Sequence, residues 1–195
     1  YQELTRAFPL EFAVPTQQGD SFRGQPVMAT TPEFFTKFRP SAERDGPGWE
    51  LAEGRFFESP FEVVVGAQAA RATGVRVGQQ VVLSPGVAQS RLLGSGGGGT
   101  THEHEEYPFT VVGILEPTGT AHDRAVFTTL TASWLMHAQD KRERDDPQAA
   151  LATEADLADG DRLITGIYLR LITREGSDVP ANMPQVFSML RRDPT

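Results

Sequence analysis

The sequence has no cysteine, no long apolar run and no basic stripe, and each absence removes a class of function. Without cysteine there are no disulfide staples, no thiolate zinc sites and no thiol nucleophile. No apolar run approaches the roughly 18 to 20 residues needed to span a bilayer. The opening YQELTRAFPL lacks both the basic and the apolar segments of a secretion signal. The chain therefore reads as soluble and, beginning at Tyr1 and ending at Asp193-Pro194-Thr195, as a piece cut from a longer protein. Lys and Arg number 18 against 26 Asp and Glu, a formal net charge of -8. Phosphate-backbone binding then lacks its electrostatic driving force, and nucleic acid is excluded as a partner. Catalytic signatures are missing as well: there is no Gly-x-Ser-x-Gly elbow and no His-Glu-x-x-His. No enzyme and no catalytic residue are expected, and a small hydrolase ranks last among the alternatives.

What is present is enough to fill a core, as 195 residues with 38% hydrophobic content. The stretch FPLEFAVPTQQGDSFRGQPVMATT reads as a hairpin that turns at Gln17-Gln18-Gly19-Asp20, with a bulge at Gly24. Pro32 after Thr31, with Phe34, Phe35 and Phe38 at helical spacing, predicts a helix over 32–38. Pro and Gly punctuate 39–60, which reads as a loop and a domain boundary. Beyond it follow a strand over 62–65, a small-residue helix over 67–73 stopped by Gly74, and a strand over 81–84. A long loop over 85–106 leads to YPFTVVGIL, a strand broken by Gly113, and then to the strand AVFTTL. The segment TASWLMHAQDKRER predicts a helix, and 140–161 a charged surface excursion with a short Ala-rich helix. LITGIYLRLIT carries the longest strand signal, and a last helix is expected over 180–191, with Val186, Phe187 and Leu190 at helical spacing.

Five fragments in one order, TTPEFF, AEGRFF, EVVVGAQAARATGVRVGQQVVL, FTVVGILEPTGTAHDRAVFTTL and ITGIYLRL, cover most of the chain. In that order they resemble the extracytoplasmic (periplasmic) domain of MacB/FtsX-type ABC transporter permeases. The resemblance implies an α+β fold: a mixed α/β, porter-like unit from 1–48 and 131–195, with an inserted small β-rich unit from 49–130. It also implies a domain without chemistry at the periplasmic face of the bacterial inner membrane. There it would couple ATP-driven motion of the membrane helices to a substrate or partner. The partners implied are a cognate ABC ATPase acting through the intact permease, a periplasmic partner protein, and the membrane only through missing flanking helices, in a dimeric permease. The Pro- and Gly-rich stretch 39–60 would be the compliant junction between the units.

One motif points elsewhere. In an extended segment His102 and His104 project from one face of THEHEEYPF, and Glu106 falls on their side. With His122, should the later turn fold back, they form a nitrogen and oxygen ligand set suited to zinc, and no cofactor besides zinc is expected. A solvated acidic loop end is the competing reading. The resemblance associates such an approach to PFTVVGIL with metal uptake, so a zinc-binding module of a metal-uptake-associated permease is the second alternative. The run GSGGGG satisfies Gly-x-Gly-x-x-Gly, but the acidic TTHEHEE that follows would repel phosphate, so it reads as a loop. Trp49 and Trp134 fit packing between the two units or anchoring of a partner.

Overall fold

A computed structural model of the chain describes residues 8, 10–41, 46–85, 106–173, 176, 179–180 and 182–192. The strands are β1 (Leu10–Phe22), β2 (Gln25–Thr30), β3 (Leu51–Gly54), β4 (Glu62–Val65), β5 (Gln80–Val81), β6 (Ser84–Pro85), β7 (Phe109–Leu115), β8 (Val126–Thr129) and β9 (Gly166–Leu171). The helices are α1 (Glu33–Lys37), α2 (Ala67–Thr73), α3 (Leu130–Asp145) and α4 (Met183–Arg192). Among the described residues the strands form one sheet in the order β3-β7-β4-β8-β2-β1-β6, with β5 also on β7 and β9 on β1. The β4–β7 and β2–β8 pairs are parallel and the others antiparallel. This mixed sheet with helices is the α+β class that the sequence implied.

Alternation along the strands sorts the core into two faces, because successive side chains of a strand point opposite ways. Val63, Val65, Val111 and Val126 pack with Ala69 and Ala70 of α2 and Ala132 and Met136 of α3. Their neighbours Val64, Val112 and Phe127 face the other way and pack with Phe34 and Phe35 of α1 and with Trp49 and Phe57. Both faces are thus covered, and Val63-Val64-Val65 of β4 and Val126-Phe127 of β8 are continuous apolar runs, as expected of strands buried on two sides.

Several elements depart from the sequence reading. The hairpin turns at Arg23 and Gly24, with φ of 47° and 81°, while the irregularity lies between Gln18 and Ser21. Turn and bulge are exchanged, because two consecutive positive-φ residues make the tight turn whose twist matches the strands. The stretch 39–60, read as a loop, contains β3 and buries Trp49 and Phe57 among its described residues. β7 runs unbroken through Gly113, and the register shift opposite Val63 and Val64 leaves Val112 as the extra residue. The strand expected over 81–84 is split into β5 and β6. Helix α3 continues through Asp145, its Lys, Arg and Glu being good helix formers with Arg142 and Arg144 at the favourable C-terminal end. The excursion after it holds two short 3-10 turns, Glu154–Asp156 and Asp159–Asp161, in place of an Ala-rich helix. The longest strand is β1, not β9.

That length lets β1 serve two sets of neighbours. Its residues Leu10 to Thr16 pair with β9, from Leu10 opposite Leu171 to Thr16 opposite Gly166. Its residues from Gln17 onward pair with β2, and Asp20 and Ser21 with β6. Glu11 and Arg170 form an ion pair across the β1–β9 stem at 3.7 Å, and the Thr165 N–H donates to the Thr16 carbonyl at 2.8 Å.

Candidate functional site

A buried carboxylate anchors the turn between β7 and β8. The Asp123 carboxylate accepts from the Thr118 N–H at 2.8 Å, the Thr118 hydroxyl at 2.7 Å and the Gly119 N–H at 2.9 Å. Burial pushes this carboxyl up, but those donors outweigh it and hold Asp123 below the ordinary carboxylate range. Thr120 caps the 3-10 turn Ala121–Arg124 by accepting from the His122 N–H. Asp123 thus closes the turn.

The His122 ring leaves this turn and enters the second core face. Its centroid lies 5.4 Å from that of Trp49, 5.6 Å from Phe38, 5.9 Å from Phe34 and 6.2 Å from both Phe127 and Tyr168. Its Nδ1 is 3.0 Å from the Thr120 hydroxyl. Burial lowers the His122 pKa, with the Asp123 charge acting the other way, so the ring is neutral at pH 7. Thr, His and Asp stand together here, yet the Asp123 oxygens are engaged by the turn and the imidazole Nδ1 by Thr120. A nucleophile-activating relay needs the carboxylate on the imidazole instead. The group ties the β7–β8 turn to α1, Trp49 and β9 through tilted and edge-on ring contacts. Beside the turn opens a cleft of about 350 Å³ between Pro40, Pro47 and Pro117, with Glu50 and Glu116 on its walls.

A second constellation explains the fragment AEGRFF. Gly54 lies directly opposite Gly113 in the β3–β7 pair, and a Cβ on Gly54 would fall 2.1 Å from the Val112 carbonyl oxygen. A Cβ on Gly113 would meet the Arg55 carbonyl oxygen at 2.3 Å. Only two glycines allow this crossing, and with φ of +81° Gly54 also takes the left-handed conformation that glycine tolerates. The crossing delivers Arg55, whose N–H donates to the Val112 carbonyl at 2.9 Å and whose guanidinium forks onto Glu62 of β4. Glu62 also accepts from the Glu58 and Ser59 N–H groups. The Arg55 hydrogen bond outweighs burial, and with these it holds Glu62 down at about 2.

Of the four residues singled out as zinc ligands, His102 and His104 lie outside the described residues, as does the run GSGGGG. Glu106 precedes Tyr107, which stacks on Phe61 at 4.9 Å and belongs to the first core face. His122 belongs with the second, on the other side of the sheet. Among the described residues no three His, Cys, Asp or Glu side chains converge as a metal site. Trp49 packs between α1 and β8, and Trp134 donates from Nε1 to the Leu163 carbonyl at 2.7 Å. Sequence reasoning missed the Arg55–Glu62 fork and the Asp20–His137 ion pair at 3.4 Å. Only the fragment AEGRFF hinted at the former.

Comparison with known proteins places these features in context. The sequence pattern of the MacB-like periplasmic core domain matches residues 1–183. Among solved structures, the periplasmic region of MacB from Actinobacillus actinomycetemcomitans is similar, with 11% identity, 98% of this chain and 71% of that chain covered, and a TM-score of 0.48. The extracellular domain of the noncanonic ABC-type transporter YknZ from Gram-positive bacteria has 8% identity, with 71% of this chain and 64% of that chain covered, and a TM-score of 0.39. No curated protein matches the chain.

Proposed function

Because the chain belongs to the MacB-like periplasmic core domain family, we propose that it is the extracytoplasmic, non-catalytic part of an ABC transporter permease. It relays movement that a cytoplasmic ATPase drives in the membrane helices to a substrate or partner protein outside the cytoplasm. No helix among the described residues is long and apolar enough to cross a membrane, so on this reading the spanning helices belong to other parts of the permease.

The observation that carries the proposal is the pairing of Leu10 with Leu171. The described sheet is entered along β1 and left along β9, side by side, and β1 continues without a break to its pairing with β2. A displacement applied to the β1–β9 stem therefore acts on the sheet through one covalent strand. From there it reaches β8 through β2. The two units read from the sequence, 1–48 with 131–195 and 49–130, meet along the parallel β2–β8 pair. They meet again where Phe34, Phe35 and Phe38 touch Trp49, Phe127 and His122. Packed rings transmit a push that a slack linker would absorb. The test is hydrogen exchange on the complete permease with its ATPase in lipid nanodiscs, with and without ATP. Amides of β1 and β9 should change protection with nucleotide. Identical exchange in both states across residues 10–171 would overturn the proposal.

A further inference from the structure

A different seam, between β1 and α3, gathers buried polar atoms that neither the fold nor the proposed relay uses. Three of the four buried side-chain atoms without a hydrogen-bond partner among the described residues are Gln17 Oε1, Asp20 Oδ1 and Ser133 Oγ. Asp20 and Ser133 are 4% and 1% exposed. Residues three apart on a regular strand face opposite ways, but the irregularity between Gln18 and Ser21 turns both Gln17 and Asp20 toward α3. Asp20 Oδ2 meets His137 Nε2 at 3.4 Å, and Gln17 and His137 line one cleft of about 260 Å³. Ser133 lies one helical turn before His137.

The charged groups around the imidazole come from every element at the seam. Asp20 is on β1; Asp140, Lys141 and Arg144 are on α3; Asp161 is on the adjoining 3-10 turn. Lys141 is engaged by Asp161 at 3.5 Å. The cation against the buried Asp20 oxygen is therefore His137 itself. Helix α3 is in turn fastened to the segment leading into β9 by the Trp134–Leu163 hydrogen bond and the Lys141–Asp161 pair.

We propose that the Asp20–His137 pair is a pH-dependent clamp between β1 and α3, closed while the imidazole carries its proton and released when it loses it. A buried carboxylate facing a neutral ring keeps at most one uncharged donor, and breaking such a pairing from one side leaves a charge that burial disfavours. The hydrogen bond to Asp20 raises the His137 pKa above the ordinary 6.5, against burial, and the Asp20 and Asp140 charges add to it. A group whose pKa is raised by folding contributes its full stabilisation below the ordinary value and loses it as pH rises through the folded value. The clamp is thus closed in mildly acidic surroundings and opens on the alkaline side.

The local readout is amide exchange of α3 in the 195-residue chain, corrected for intrinsic rates, at a series of pH values from 5 to 9. Alongside it, the His137 imidazole is titrated by NMR. Each unit by which folding raises the His137 pKa makes opening of α3 about tenfold more frequent on the alkaline side. This loss of protection should track the His137 titration in the unmodified chain and disappear in the near-isosteric Asp20→Asn and in His137→Gln. His137 titrating at or below the ordinary histidine value, a measurement that needs no variant, would overturn the proposal. So would α3 protection in Asp20→Asn that still follows pH as in the unmodified chain.

Discussion

Replacing Gly54 with alanine separates two costs that are usually confounded. Gly24 and Gly54 share a φ of +81°, yet a Cβ on Gly24 meets nothing within 4 Å while one on Gly54 falls 2.1 Å from the Val112 carbonyl oxygen. The left-handed conformation alone costs an L-residue about 1 to 2 kcal/mol, which is the whole effect expected for Gly24→Ala. At Gly54 the obstructed oxygen is the one that accepts the Arg55 N–H. Relief of the clash must lift β3 from β7 and break that bond, adding about 1 kcal/mol for the hydrogen bond and about 1 to 2 for the strand shift. Gly54→Ala should therefore destabilise by about 3 to 5 kcal/mol against a total stability of about 5 to 15. With a urea slope of about 2 kcal/mol per molar, its midpoint falls by about 1.5 to 2.5 M, roughly twice or more the shift of Gly24→Ala. A second readout is local: once Arg55 is displaced, the Glu62 carboxyl should climb from about 2 toward its ordinary value near 4.5 in a carbon NMR titration. Equal urea midpoints for the two variants would refute the glycine crossing as the reason for AEGRFF.

The same corner and its neighbours carry further predictions. Glu62→Gln should cost about 1 to 2 kcal/mol at pH 7, discounted because Arg55 is half exposed. The lowered Glu62 pKa means that this stabilisation is present above pH 4.5 and fades toward pH 2, so urea midpoints of variant and unmodified chain should converge there. Trp49→Ala removes the ring that touches Phe34, Phe35, Phe38, His122 and Phe127 and leaves the Phe38 carbonyl without its indole donor. A loss of about 3 to 5 kcal/mol is expected in urea unfolding. His122 is held below 6.5 by burial, so folding disfavours its protonation and stability drops as pH falls below that value. In calorimetry the decline in Tm between pH 7 and pH 5 should be smaller in His122→Phe than in the unmodified chain.

The central strands and α2 were legible because their signal is local. Val63-Val64-Val65 and Val126-Phe127 are continuous apolar runs, and Gly66 and Gly74 bracket an alanine-rich segment. β3 was not legible: LAEG has no apolar alternation, three of its four residues are exposed, and its attachment is made by backbone and two glycines. The hairpin turn escaped because Arg23 stands at positive φ, where sequence rules look for Asn, Asp or Gly. His122 carried a signal for metal chemistry by residue type alone. Only the three-dimensional neighbours, all distant in sequence except Thr120 and Phe127, place its ring among five aromatics. Asp20 and His137 meet across a bulge whose position no pattern announced. The first two of the zinc candidates, His102 and His104, fall in a stretch outside the described residues.

The proposed relay through the β1–β9 stem is tested most directly by breaking the stem. Successive N–H groups of a strand point to opposite sides, so of Leu169→Pro and Arg170→Pro one must remove a β1–β9 ladder bond while the other removes an outward N–H. Each variant of the complete permease is compared with the unmodified protein for ATP hydrolysis and for nucleotide-dependent hydrogen exchange in β2 and β8. In one variant ATP hydrolysis should persist while the exchange response of β2 and β8 disappears. Persistence of that response in both variants would contradict the relay.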